Sequence, residues 1–451
     1  MRSKSLTAKR SNITIPTNSF REAQDVIERS CAVFGVACLP CLRRFFVFSF
    51  AFCVFFVFLP PKEQTNCSFD MKHTFATFLG HCSRILLGLV FLFSGFVKAV
   101  DPLGTVYKIE DYLKAFGGFF TDLLPLATAA AFVLIAAEFV LGVCLFLNVR
   151  TQWTAWLSLL FYLIMTPLTL YIALANPVSD CGCFGDAIVL TNWQTFWKNV
   201  VLLLLVIVLL CTKRYIRPRW RWYAECGIAV ISLAAVIGWM VWTLYHLPVI
   251  DFRPYKVGNN LVELMEYPED APRDEYKVTL VYSREGVEKE FSLSDYPKGD
   301  STWTFVRQES QLVKKGYEPP IHDLEIMNRD YEDITYDILE SEAPVVLVIM
   351  YDLDKADKVC DAELSSLQAM CEERGTSFYI LTGSGSDRID AFVSKEGMYS
   401  LETAVCSCDP VTLKTIVRAN PGVMVIQNGI VKAKYNLRAT PAQEVVESLN
   451  L

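Results

Sequence analysis

Five apolar stretches, each close to the length needed to cross a lipid bilayer, fill most of the chain between residues 75 and 244: Phe75–Val97, Leu123–Leu147, Trp153–Ala175, Trp197–Cys211 with its flanks, and Ala224–Leu244. A helix needs about 20 apolar residues to span the hydrocarbon core. Inside lipid every backbone N–H and C=O must be satisfied within the segment, so these runs have little choice but to be helices. Of the 451 residues 53% are apolar and 20% charged, and the mean hydropathy is +0.31. That is too apolar for an ordinary soluble protein and too charged for a pure membrane channel. The charge is concentrated after the last span, where residues 247–451 carry roughly 21 basic against 36 acidic side chains. An acidic soluble half argues against nucleic acid as a partner, and the apolar stretches make the lipid bilayer an expected one.

The stretch Lys213-Arg214-Tyr215-Ile216-Arg217-Pro218-Arg219-Trp220-Arg221 joins the fourth and fifth spans. Clustered Lys and Arg beside span ends mark the cytoplasmic side. Counting outward, the loop after Ala175 and everything beyond His246 are then extracytoplasmic, while Arg150 and the start of the first span are inside. Lys108 and Lys114 fall in an external loop, accompanied by Glu110, Asp111 and Asp122. Residues 1–70 fit this scheme poorly. Phe45–Leu59 is short for a span, and Met71-Lys72-His73 offers an alternative start. The first 70 residues are therefore expected to be a poorly ordered or over-extended leader, and Cys38-Leu39-Pro40-Cys41 within them lacks the strand and helix that a redox Cys-x-x-Cys requires.

Fifteen cysteines are scattered along the chain, and most of those in apolar stretches read as small hydrophobes. Cys181-Gly182-Cys183-Phe184-Gly185 is different, because it places two thiols one residue apart where the third span leaves the membrane. Gly182 lets the backbone fold tightly enough for the pair to close into a ring, and a strained ring makes a disulfide easier to reduce. The bland alternative is a pair of buried thiols or a bridge that only holds the loop. Cys406-Ser407-Cys408 is a second close pair, expected either to pack in a sheet or to act as a relocated redox pair. Only four histidines exist and none has ligand spacing to a cysteine, so no metal site is expected.

Glu138 lies within the second span, where an ionisable group is paired or functional. Matching depths along antiparallel helices pairs it with Arg84; a proton or quinone site is the alternative reading, and no cofactor is otherwise evident. Lys98 and Asp101 fall at the outer end of the first span, near the Cys181 loop, where Lys98 either snorkels to the surface or lowers a thiol pKa.

In the soluble half, Tyr276–Tyr282 and Val287–Leu293 alternate around Ser283-Arg284-Glu285-Gly286 and predict a hairpin. Val345–Tyr351 is a continuous apolar run suited to a buried strand, followed by a helix over Ala362–Arg374, a strand over Ser377–Leu381 and a helix over Asp387–Lys395. Gly422–Val431 gives a strand, an Asn-Gly turn and a partner strand, and Ala442–Leu449 a closing helix. Strands alternating with helices predict an α/β sheet.

The first span and its exit, from Arg84-Ile85-Leu86-Leu87-Gly88 through Phe93-Ser94-Gly95-Phe96-Val97-Lys98-Ala99-Val100-Asp101-Pro102, resemble the opening of the DoxX family, and Cys181-Gly182-Cys183-Phe184-Gly185 before a helix resembles the signature of its MauE-like branch. That resemblance covers roughly residues 75–212 and implies a four-helix membrane core and a link to methylamine utilisation and to maturation of a disulfide-rich dehydrogenase subunit. Residues 319–449 are similar to thioredoxin-like domains of the TlpA and peroxiredoxin type. Pro319–Ile326 resembles their leading strand, and Pro421, after Asn420, stands where such folds hold a cis proline beside the site that docks a partner. The family's Cys-x-x-Cys is missing: Asp352-Leu353-Asp354-Lys355-Ala356-Asp357-Lys358-Val359-Cys360 follows the strand, and Cys360, between Asp357 and Asp361, reads as a remnant.

The expected architecture is thus an α-helical membrane bundle, a four-helix DoxX/MauE-like core in 71–212 plus a fifth span in 213–246, then a β-rich connector in 247–318 and a thioredoxin-like α/β domain in 319–451. The expected function is that of a bacterial inner-membrane protein exchanging thiol and disulfide equivalents with extracytoplasmic partner proteins through Cys181 and Cys183. The rival is a membrane assembly or binding protein with a permanent bridge and a non-catalytic soluble module.

Overall fold

The computed structural model describes residues 71–451 apart from Ser179, Asp180, Pro218, Glu269, Asp274, Glu285, Ser301, Lys315, residues 357–360 and 395–398, and Leu451. The leader over residues 1–70, with Cys38 and Cys41, and Cys360 lie outside the described residues. The membrane half is built from α1 (Met71–Val100), α2 (Pro102–Phe116), a 3₁₀ segment (Gly118–Leu126), α3 (Ala127–Phe146), α4 (Thr151–Ala175), α5 (Asn192–Thr212) and α6 (Trp222–Tyr245). Five of these are long and apolar enough to cross a membrane, with α3 and the 3₁₀ segment before it forming one span.

The helix α2 lies in what reads from sequence as an external loop. Asp101 caps it, accepting the Gly104 N–H at 3.0 Å, and Pro102 supplies a pre-set first turn. It buries Pro102, Thr105 and Val106.

Small residues set the packing of α1 on α3. A Cβ on Gly88 would stand 2.8 Å from the Phe146 backbone nitrogen, one on Gly95 2.6 Å from that of Phe139, and one on Gly142 2.5 Å from that of Leu92. Close backbone approach of this kind is how helices associate in lipid, where no hydrophobic force drives them together. It also fixes the register, with Gly88 opposite Phe146, Leu92 opposite Gly142 and Gly95 opposite Phe139.

The two ends of the bundle differ. At one, Asn148 donates to the Arg217 carbonyl at 3.0 Å, Trp220 to the Leu147 carbonyl at 2.9 Å, and Arg150 pairs with Glu225 at 3.0 Å. The other carries α2, the loop with Cys181 and the soluble half.

After α6, a short helix α7 (Leu261–Met265) precedes a three-stranded antiparallel sheet of β1 (Glu275–Arg284), β2 (Val287–Ser292) and β3 (Thr304–Lys314) in the order β2-β1-β3. The hairpin falls where the alternation predicts it, and β3 adds a largely exposed strand. The last part is a five-stranded sheet in the order β6-β5-β4-β7-β8, formed by β4 (Val345–Ile349), β5 (Ser377–Thr382), β6 (Val405–Ser407), β7 (Gly422–Gln427) and β8 (Ile430–Asn436). β4, β5 and β6 run parallel, and β7 lies antiparallel to both β4 and β8. Around it lie α8 (Thr335–Leu339), α9 (Asp361–Arg374), α10 (Ser386–Val393), α11 (Pro410–Ile416) and α12 (Ala442–Glu447). Side chains of a strand alternate between faces, and both faces of β4 are buried: Val346 and Val348 in one core, Val345, Leu347 and Ile349 in the other. The Asn420–Pro421 peptide is cis. The expected leading strand at Pro319–Ile326 does not form. That segment is non-helical chain without a ladder, bridged to the sheet from Met327 to Ser407 and packing Ile321, Leu324 and Ile326 into the core on one of its faces.

Candidate functional site

The loop between α4 and α5 is tied at both ends before its cysteines are placed. Asn192 donates to Asn176 at 2.8 Å and to the Val178 carbonyl at 2.9 Å, and Thr191 and Gln194 form a reciprocal cap on the first turn of α5. Within it Gly182 and Gly185 adopt φ of +62° and +53°, where a side chain is strained. A Cβ on Gly182 would also press on Lys108 Cγ at 3.1 Å. This turn brings Cys181 Sγ and Cys183 Sγ to 3.0 Å as unbonded thiols. A disulfide needs about 2.05 Å, so closing one requires a shift of about 1 Å.

Hydrogen bonds and ring contacts hold the turn against the bundle. Tyr112 of α2 donates its hydroxyl to the Cys181 carbonyl at 2.8 Å, and Ser94 of α1 donates to the Cys183 carbonyl at 2.8 Å. Phe184 packs edge-on to Phe93, with Lys198 Nζ 4.4 Å from its ring centroid. The two thiols are electrostatically unlike. Cys183 is held below the usual thiol range chiefly because Cys181 donates to it, with the Lys198 and Lys98 cations adding to that effect against burial and the nearby Glu138. Cys181 is pushed up as that donor and by burial.

The expected ion pair between Arg84 and Glu138 is not formed. Lys98 Nζ sits 2.7 Å from Glu138 Oε1 and 2.8 Å from Oε2, and Ser94 Oγ is 2.7 Å from Oε2. Lys98, Glu138 and Ser94 are all buried. Arg84 instead donates to the Leu145 and Phe146 carbonyls at the end of α3. The glycine register explains the difference: Glu138 lies opposite residues 94–98, and Arg84 lies about 14 residues further back, ~21 Å along the helix. Lys98 therefore does not snorkel to the surface. Ser94 joins this ion pair to the cysteine loop, and its spacing of four from Lys98 on one helix face was the signal available for it.

A cavity of about 360 Å³ opens beside the thiols. Polar Cys181, Cys183, Ser94, Lys98, Glu138 and Tyr162 line it together with apolar Phe91, Leu134, Phe161, Met165 and Leu168.

Asp101, expected near this loop, has two roles. Besides capping α2 it accepts Arg418 Nε at 2.8 Å, and the same guanidinium reaches Asp186 at 3.4 Å. Arg418 belongs to the soluble half, two residues before Asn420. Tyr107 donates to Tyr351 at 3.3 Å across the same seam. Asp251 in the connector bonds both Arg253 at 2.8 Å and Lys434 of β8 at 2.7 Å. Burial alone raises Asp251, but the two cations outweigh it and hold the carboxyl below its usual range. Asn420 donates to the Asp352 carbonyl at 2.8 Å, joining the cis-proline loop to the chain leaving β4. Cys406 and Cys408 are both buried in the sheet core, with burial pushing their thiols up to about 11 and about 12. The structure does not bring them to the site of Cys181. Arg418, Asp186, Tyr112 and Lys198 were not singled out in the sequence.

Residues 76–212 match the family model described as methylamine utilisation protein MauE, and residues 276–315 match one described as a domain of unknown function (DUF8463). No curated protein and no solved structure matches the chain. The stretch that matches the MauE model therefore carries the cysteine loop, and its membrane-length helices mark a multi-pass membrane protein, consistent with a membrane-associated accessory role.

Proposed function

We propose that the chain exchanges disulfides with extracytoplasmic proteins through Cys181 and Cys183, from the bacterial inner membrane. The observation that carries this reading is the pair itself: two unbonded thiols 3.0 Å apart on a glycine turn, one held low in pKa and the other high. Exchange is fastest when the departing sulfur has the lower pKa. In the oxidising direction a partner thiolate attacks Cys181 Sγ of the closed bridge, and Cys183 leaves as thiolate. A second partner thiol then displaces Cys181, so the partner gains a disulfide and the loop gains two thiols. The cluster of Lys213, Arg214, Arg217, Arg219 and Arg221 at the other end of the bundle supports an extracytoplasmic position for the loop and for the acidic half.

We read the C-terminal domain as thioredoxin-like. Its strand order, its cis Asn420–Pro421 peptide and the position of that loop beside the end of β4 support this. It would serve to position partners, since the chain after β4 has no cysteine pair and Cys406 and Cys408 are buried. A second reading, a non-catalytic assembly protein with a static bridge, is favoured by one observation: the Arg418 edge is already bonded to the chain's own membrane half.

Trapping separates the two. Cys183→Ser leaves Cys181 able to attack a partner's disulfide but removes the thiol that would resolve the product, so it is expected to accumulate a mixed disulfide with an oxidised extracytoplasmic protein, seen as a thiol-sensitive adduct on non-reducing gels. If neither this variant nor Cys181→Ser forms an adduct, and thiol labelling of the wild-type pair never responds to external redox potential, the exchange reading is wrong.

A further inference from the structure

We propose that the cavity beside Cys183 binds a membrane quinone, which takes the two electrons released when Cys181 and Cys183 re-form their disulfide. The proposal rests on the exchange reading, because each partner oxidised leaves the loop as a dithiol that needs a two-electron acceptor. The cavity has the size of a small-molecule site and its character, apolar walls with a few converging polar groups.

Its position selects the class of ligand. On α3, Ala130 is exposed and Leu134 half-buried; on α4, Phe161 and Met165 are half-buried. These residues line the cavity from two membrane-length helices, so its wall is shared with the surface that faces lipid. An occupant entering there must be lipid-soluble. An acyl chain would need none of the polar groups it finds inside. Lys98 and Glu138 form a buried ion pair that is costly to bury, and with Ser94 and Tyr162 they line the space. A ring with two carbonyl oxygens on an apolar tail satisfies both halves of the lining. The thiols themselves line the cavity, so electrons have no intervening protein to cross.

The step balances with the groups present. Cys181 thiol and Cys183 thiolate lose two electrons and one proton as the sulfur–sulfur bond forms. The quinone takes the two electrons and two protons: one from Cys181, the other through Lys98 and Glu138, replaced from the aqueous mouth of the cavity. Thiol, thiolate, quinone and one proton become disulfide and quinol.

The full chain in lipid nanodiscs, reduced and freed of reductant without oxygen, is the material for the test. Decylubiquinone and glutathione disulfide are supplied separately, and the pair is followed by maleimide mass-tagging and the quinone by its ultraviolet absorbance. The expected result is oxidation of the pair with one equivalent of quinol formed. In Met165→Trp, and from a different helix in Leu134→Trp, the ratio of the quinone rate to the glutathione disulfide rate is expected to fall by about tenfold, as filling a pocket does. Oxidation by glutathione disulfide but not by decylubiquinone overturns the quinone site and leaves exchange standing. An unchanged ratio in both variants also overturns the site. Oxidation by neither reagent removes the exchange reading and this one with it.

Discussion

At Cys183 a donated thiol hydrogen from Cys181 and two lysine cations act on one sulfur, while Ser94 holds the residue's own carbonyl. The thiolate is the species that alkylating reagents attack, so a lowered pKa has a direct readout. As pH falls through the range where an ordinary thiol at about 8.5 becomes protonated, Cys183 is expected to keep reacting with iodoacetamide while Cys181 has stopped. Lys198→Met removes one cation and should move the Cys183 profile to higher pH. Mass spectrometry of the two labelled peptides across a pH series checks both, and identical profiles for the two cysteines would rule the asymmetry out. The pair was legible in the sequence because its chemistry is local: one glycine, two thiols, one loop. Tyr112 and Lys198 were not, since each reaches the loop from another helix and neither spacing nor composition marks them.

Helices legible by hydropathy were found where expected, but their register was not. Arg84 and Glu138 share a depth only if span ends are aligned, whereas Gly88, Gly95 and Gly142 align α1 and α3 by backbone contact and give Glu138 to Lys98. Gly142→Leu tests that account. Its side chain must displace the Leu92 backbone, and overpacking of this kind costs about 1–3 kcal/mol. A lower unfolding temperature in detergent is expected, together with faster labelling of Cys183 as Ser94 moves with α1; an unchanged melting curve would mean the helices are not held at this contact. Several elements escaped the sequence, α2 and β3 among them, for physical reasons. Charged residues interrupt α2, which is too short for a clear apolar period, and β3 is so largely exposed that no buried face imprints an alternation on it.

Across the whole molecule the two halves meet through few but well-buried groups. Arg418, 8% exposed, bonds Asp101 from 317 residues away, and Asn436 donates to the Tyr245 carbonyl at 2.9 Å. A charge-assisted hydrogen bond of this kind contributes ~2 kcal/mol, roughly a tenfold or greater change in how often the seam opens. Arg418→Ala is therefore expected to speed proteolysis of the connector at residues 246–260 by about that factor, with Asp101→Arg combined with Arg418→Asp recovering part of the protection. Equal cleavage rates in all three proteins would show that the seam does not depend on this contact. Nothing in the sequence pointed to it, because a single arginine in a strongly acidic half reads as surface charge. Its geometry also bears on ancestry. A cation in one half answered by a helix cap and a loop carboxylate in the other makes each half part of the other's selective environment, so the two are expected to be inherited as one unit, and a C-terminal domain grafted onto a different bundle would need its own Asp101 and Asp186 to dock.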